Sequence, residues 1–152
     1  MKEILGKART VRELLKEVKY SIDYYQREYK WHEKQICELI NDLSNKFLEE
    51  YRPDQPRTKV AHYPHYFLGS IIISKKENLS YIVDGQQRLT SLTLLLIFLR
   101  NLQNGRAERV NVDELIFSEK FGEKSFNLNV PERTAAMEAL YKGETIDLNG
   151  HV

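Results

Sequence analysis

One cysteine, four prolines and seven glycines in 152 residues exclude several protein classes at once. Cys37 has no partner for an intramolecular disulfide, so a disulfide scaffold is ruled out and a reducing cytoplasm fits. Glycine and proline are too sparse for a collagen-like or low-complexity chain. An excess of one charge is also missing. Lys plus Arg is 23 against 22 for Asp plus Glu, so any attraction for an anion must come from a local patch. The longest apolar run, LTLLLIFL at 92–99, is bracketed by Arg88 and Arg100. It falls short of the roughly 18–20 residues of a bilayer span and is expected to form a buried core helix. The start, MKEILGKARTVREL, lacks the apolar centre of a signal peptide. No GxxxxGK[ST] occurs, so a Walker A loop is absent. What remains is a cytoplasmic domain with no membrane association, large enough to bury about 68–70% of its unfolded surface.

Thr10-Val11-Arg12-Glu13 has capping-box spacing and opens a helix whose apolar positions are Val11, Leu14, Leu15 and Val18. The pattern turns extended from Tyr20. A second helix is expected from about 32 to 51, with Ile36, Leu39, Ile40, Leu43 and Phe47 on one face and Cys37 half-buried. Residues 52–65 hold three prolines and read as a surface loop. The run 66–74, YFLGSIIIS, is apolar on both faces, as in a central strand. A turn at 75–78, a short strand at 81–83 and a long helix from about 87 to 103 follow, with Asn104-Gly105 as the stop. Beyond lie a mixed segment at 110–121, a strand-like 125–130, and a helix opened by Pro131 and closed by Gly143. The tail from 144 closes no element and reads as cut mid-protein. The fold class is α+β, a small sheet with packed helices.

The chemistry concentrates in Tyr81-Ile82-Val83-Asp84-Gly85-Gln86-Gln87-Arg88. An apolar strand enters Asp-Gly and a helix begins within two residues. Gly85 permits positive φ and close approach of a ligand. The amides of a first helical turn attract anions, and Arg88 adds a planar, permanently charged fork suited to phosphate. Gln86 and Gln87 can hold a water, and Asp84 can cap the helix or hold a divalent ion. A plain Asp-Gly turn with surface residues behind it explains the same letters. A second cluster, YYQREYKW at 24–31, interleaves aromatics with cations. It can stack a base through Tyr25 and Trp31, or simply pack against the sheet.

YYQREYKW, YFLGSIII and YIVDGQQRLTSLTLLL, in that order, resemble the N-terminal domain of GmrSD-type restriction endonucleases. These are DGQQR-motif proteins within the ParB/sulfiredoxin-like superfamily. The resemblance covers roughly residues 8–105. Residues 1–105 would hold the nucleotide-site region, and 106–152 would continue the same domain ahead of a C-terminal nuclease or effector, carried on the chain or on a partner subunit. It implies a ParB/sulfiredoxin-like sheet and nucleoside triphosphate hydrolysis with Mg²⁺, coupled to defence against foreign DNA. Asp84, Gly85, Gln86, Gln87 and Arg88 would form the nucleotide-site motif, with Gln26 and Arg27 as companions and Gly69 and Ser70 lining the pocket. Arg88 and Arg27 would clamp phosphates and the two glutamines would orient the attacking water. Asp84 would hold Mg²⁺ or act as base. Gln86 stands where sulfiredoxins carry their catalytic cysteine, so sulfiredoxin chemistry is not expected. Ile22-Asp23 replaces the Ile-Pro of many members and sets a carboxylate near the anion site.

Two other readings use the same fold. A DNA-binding module without turnover would employ Lys7, Arg9, Arg12, Arg52, Arg57 and Lys59 as a basic face. A ParB-like nuclease would need a metal centre, for which His62 and His65 alone are too few ligands; in a Pro-rich loop they read as solvated.

Overall fold

The computed structural model describes residues 5–23 and 28–143. The chain forms two compact units, one of residues 1–28 with 71–152 and one of residues 29–70. The first opens with α1 (Val11–Leu15), where the expected capping box is complete. The Glu13 amide donates to Thr10 Oγ1 at 3.1 Å, and the Thr10 amide donates to Glu13 Oε1 at 3.2 Å. These bonds, the backbone one foremost, hold the Glu13 carboxyl below its ordinary pKa. Five residues are too few for an isolated helix. Tertiary ties hold α1 in place: Tyr20 Oη donates to Leu14 O at 2.6 Å, and Arg12 pairs with Glu114 at 2.7 Å.

Four strands form the main sheet: β1 (Tyr20–Ile22), β2 (Ile72–Lys76), β3 (Leu79–Asp84) and, further on, β6 (Leu128–Asn129). Their order is β2-β3-β1-β6, with β2 antiparallel to β3 and the other two pairings parallel. The run 66–74 does not form the expected central strand. Pairing begins only at Ile72, on the sheet's edge, because Gly69 takes φ 119° and breaks the extended path. A register shift between Ile72 and Ile73 then turns Ile73 toward the core and leaves Ile72 half exposed. α3 (Gln86–Leu102) follows β3 directly. Leu89 to Thr93 are all buried, with Ile97 after them, so the expected buried core helix holds over the first half of α3. Phe98, Leu99 and Leu102 are exposed, so the expectation fails at the C-terminal end of the run.

After α3 come α4 (Asp113–Ile116), the hairpin β4 (Phe117–Lys120) and β5 (Glu123–Phe126), then β6, a 3₁₀ turn at Pro131–Arg133 and α5 (Thr134–Lys142). One core cluster joins Leu15, Tyr20, Ile22, Ile82, Leu89, Leu115, Leu128 and Val130. A second joins Ile97, Ile116, Phe126 and Met137. Phe117 stacks on Phe126 at 4.3 Å and meets Tyr141 edge-on at 4.7 Å. Asn127, 1% exposed, stitches the segments together. Its Nδ2 donates to Leu15 O at 2.7 Å and to Glu114 O at 3.0 Å, and its Oδ1 accepts from Ser118 Oγ.

At the tip of the β4–β5 hairpin, Phe121 (φ 53°) and Gly122 (φ 79°) form a turn with both central residues left-handed. Phe121 is 95% exposed, so its ring gains little from burial while its backbone is strained. Phe121→Asn is therefore expected to stabilise the domain by about 1 kcal/mol, read as a higher urea midpoint with unchanged slope. An unchanged or lower midpoint would show that the ring contributes more than the backbone costs.

In the second unit, α2 (Glu33–Glu50) lies within a residue of its expected bounds. Leu39 is buried, but Ile40 and Phe47 of the expected core face are exposed, as is Cys37, which is not half-buried. Phe47 stacks on Tyr51 at 5.2 Å and tilts on Tyr63 at 5.7 Å. Within the Pro-rich loop, Arg57–His62 winds into a 3₁₀ turn.

Candidate functional site

β3 delivers its chain end to Asp84, and Gly85 reverses direction at φ 94°, ψ 11°. A side chain there would cost about 1–2 kcal/mol, which is why the turn needs glycine. Gly85, rather than Asp84, is the N-cap residue, and no side chain caps from that position. Leu89 N–H donates to Gly85 O at 3.0 Å and closes the first turn. The amides ahead of it, with the positive end of the helix dipole, are the part of α3 suited to an anion.

The side chains of the motif are placed unequally. Asp84 is exposed at the strand end, in register with Ile72. Gln87 Nε2 donates to Glu28 O at 2.7 Å, tying the motif to the main chain just after Gln26-Arg27. Gln86 Oε1 is buried and has no hydrogen-bond partner among the described residues. Arg88 is half-buried. Ser91 Oγ donates to Gln87 O at 2.8 Å and Thr93 Oγ1 to Leu89 O at 3.0 Å, which anchors the following turn.

Sheet direction decides what else gathers here. β3, β1 and β6 are mutually parallel, so their carboxyl ends lie at one edge of the sheet. In open α/β sheets that edge is where ligands bind. β3 brings Asp84–Arg88 there, β1 brings the exposed Asp23, and β6 brings Val130 to Arg133. Arg133 Nη1 donates to Thr90 Oγ1 at 3.1 Å, one turn into α3. Sequence reading missed Arg133. No local pattern marks it, and only the two-residue pairing of β6 with β1 carries it to α3.

Tyr25, Gln26 and Arg27 lie outside the described residues. Trp31, Gly69 and Ser70 belong to the second unit, where Trp31 is half-buried and Ser70 exposed. His62 and His65 are exposed, and the described residues contain no cluster of three or more His, Cys, Asp or Glu able to hold a metal ion. Of the cations for a DNA-binding face, Arg12 is taken up by Glu114, and Arg52 donates to Tyr51 O at 2.7 Å. A shallow cleft of about 230 Å³ lies near the far end of α3, beside Arg100, Gln103, Arg109, Val110 and Asp113. Its polar groups are committed to one another: Arg100 Nε to Asp113 at 2.7 Å, and the Gln103 amide to both main-chain groups of Val110.

Residues 11–148 match the family model described as GmrSD restriction endonuclease, N-terminal domain. The chain belongs to this family. A GmrSD N-terminal domain is a domain of a restriction, or phage-defence, protein. No curated protein matches the chain. No helix among the described residues is long and apolar enough to cross a membrane.

Proposed function

We propose that this GmrSD N-terminal domain binds a nucleoside triphosphate at the β3–α3 junction and hydrolyses it, as the regulatory part of a DNA-restriction protein. The observation that carries the reading is the meeting of Asp84–Arg88, at the start of α3, with the carboxyl ends of three parallel strands. First-turn amides and Arg88 favour the phosphates. Gln86 Oε1 needs a donor, which a water held for in-line attack supplies. Gln87, bonded to Glu28 O, has a positioning role on the segment bearing Gln26 and Arg27.

Mg²⁺ fits this donor set. It is commonly held by one or two carboxylates with substrate phosphates and water, and Asp84 stands exposed at the carboxyl end of β3. The ion, when bound, neutralises charge on the phosphates. Tyr25 is the proposed base-stacking residue. DNA and a nuclease or effector domain complete the proposed setting.

The test is phosphate release and thermal stabilisation with ATP, GTP, CTP and UTP, each with Mg²⁺. At least one nucleotide is expected to raise the melting temperature, since a ligand at 100 times its Kd stabilises by about 2.7 kcal/mol. Stabilisation without turnover would leave a binding module. No stabilisation by any of the four would remove the nucleotide reading altogether.

A further inference from the structure

Two helices each leave an apolar stripe exposed. On α2 and its cap, Ile40, Ser44, Phe47, Leu48 and Tyr51 fall within about 100° of arc, and all five are exposed. On α3, Phe98, Leu99 and Leu102 are exposed, and with the half-buried Leu95 they fill an arc of about the same width. An arc of that width is what a helix buries against a neighbour. Phe47 already stacks on Tyr51 and tilts on Tyr63, yet it and Tyr51 stay exposed. An amphipathic helix such as α2 draws most of its stability from a packed face.

The two stripes are set among charges of opposite sign. α2 carries Glu33, Glu38, Asp42, Glu49 and Glu50 against Lys34 and Lys46. Its last turn has no cation, so Glu49 and Glu50 reinforce the negative end of the helix dipole. Along α3 and the turn behind it, residues 85–109, four arginines stand against Glu108 alone. Arg100 pairs with Asp113 at 2.7 Å, and the stretch stays cationic with that carboxylate counted. Between two copies of the chain, α2 on α2 or α3 on α3 would bring like charges together. α2 of one copy on α3 of the other joins stripes of equal width and opposite charge.

We propose that the exposed stripe of α3 is the docking surface for α2 of a second copy of this chain. The exchange is reciprocal, so two such seams close a two-fold dimer. Charge sets the direction: the acidic last turn of α2 lies toward the end of α3 that leads to Arg106 and Arg109. Phe47, Leu48 and Tyr51 then match Phe98, Leu99 and Leu102, which repeat the same spacing. The proposal is independent of the nucleotide reading.

The experiment is light scattering after size exclusion, with sedimentation equilibrium, from about 1 to 100 µM protein. Wild type is expected to reach twice its 18.0 kDa, with a Kd in the low micromolar range. Leu48→Lys adds a cation where α3 is cationic, and Leu99→Glu adds a carboxylate where α2 is acidic. Each is expected to raise the dimer Kd by about tenfold or more. Far-UV circular dichroism should stay unchanged, because both side chains are exposed. The double variant sets opposite charges across the seam and is expected to dimerise more tightly than either single variant. Wild type that stays at 18.0 kDa throughout, or a dimer indifferent to both substitutions, overturns the proposal. A loss confined to Leu48→Lys marks α2 on α2, and one confined to Leu99→Glu marks α3 on α3; either overturns it. A double variant weaker than both single variants overturns it too. Should Leu99→Glu fail to fold, Leu102→Glu replaces it: undiminished dimerisation sinks the proposal, and a tenfold loss upholds it.

Discussion

Arg88→Ala is expected to weaken nucleotide binding tenfold to a hundredfold, whereas Asp84→Asn is expected to leave binding within about threefold and lower turnover at least a hundredfold. The first figure follows from hydrogen bonds to charged groups, worth about 1.5–3 kcal/mol, with about 1.4 kcal/mol for each factor of ten. The second follows from the usual penalty of about 10²–10³ for removing one group that stabilises charge in a transition state. The geometry separates the two residues. Arg88 lies within the helix, in its first turn, while Asp84 stands before Gly85 on the exposed end of β3. Binding titrations and steady-state phosphate release on the same preparations read both effects. Normal turnover in both variants would place the chemistry elsewhere.

Asn127→Ala is expected to cost about 2–4 kcal/mol of stability, a large share of what a domain of this size possesses. The loss comes from what stays behind. Leu15 O and Glu114 O would lose their shared donor and Ser118 Oγ its acceptor, all around a side chain that is almost wholly buried. Asn127→Asp should be no milder, since a carboxylate cannot donate to either carbonyl and burial opposes its charge. Urea midpoints measure the effect. A loss below about 1 kcal/mol would mean that water takes over the three bonds.

Features written in neighbouring residues were legible in advance. The Thr10–Glu13 box, the bounds of α2, the passage from strand through Gly85 to helix, and the closures at Gly105 and Gly143 each depend on a few adjacent side chains. What escaped depended on distant partners. YFLGSIIIS has the composition of an interior strand, but Gly69 and the single pairing with β3 make its second half an edge. The apolar run of α3 carries no mark of which side will meet Ile116 and Met137 and which will stay exposed. α4 and β6 are too short to show a period at all. At the site, the motif itself was readable because strand, turn and helix are consecutive. The capping role expected of Asp84 fell to Gly85, and Arg133 needed the sheet's pairing order to be seen.

That same pairing order sets a timetable for synthesis. β1 is made early and occupies an interior place in the sheet, yet β3 ends at Asp84 and β6 at Asn129. At about 5–20 residues per second, the interval before the last partner is translated is on the order of 5–20 s. Until residue 84 is made both edges of β1 are unpaired, and until residue 129 the edge that β6 takes stays open, so Tyr20, Ser21 and Ile22 present backbone and the side chains of a future core to whatever is nearby. The domain therefore completes its sheet late, and the emerging chain is most open to chaperones, and to faulty pairing with other chains, before residue 129 is in place.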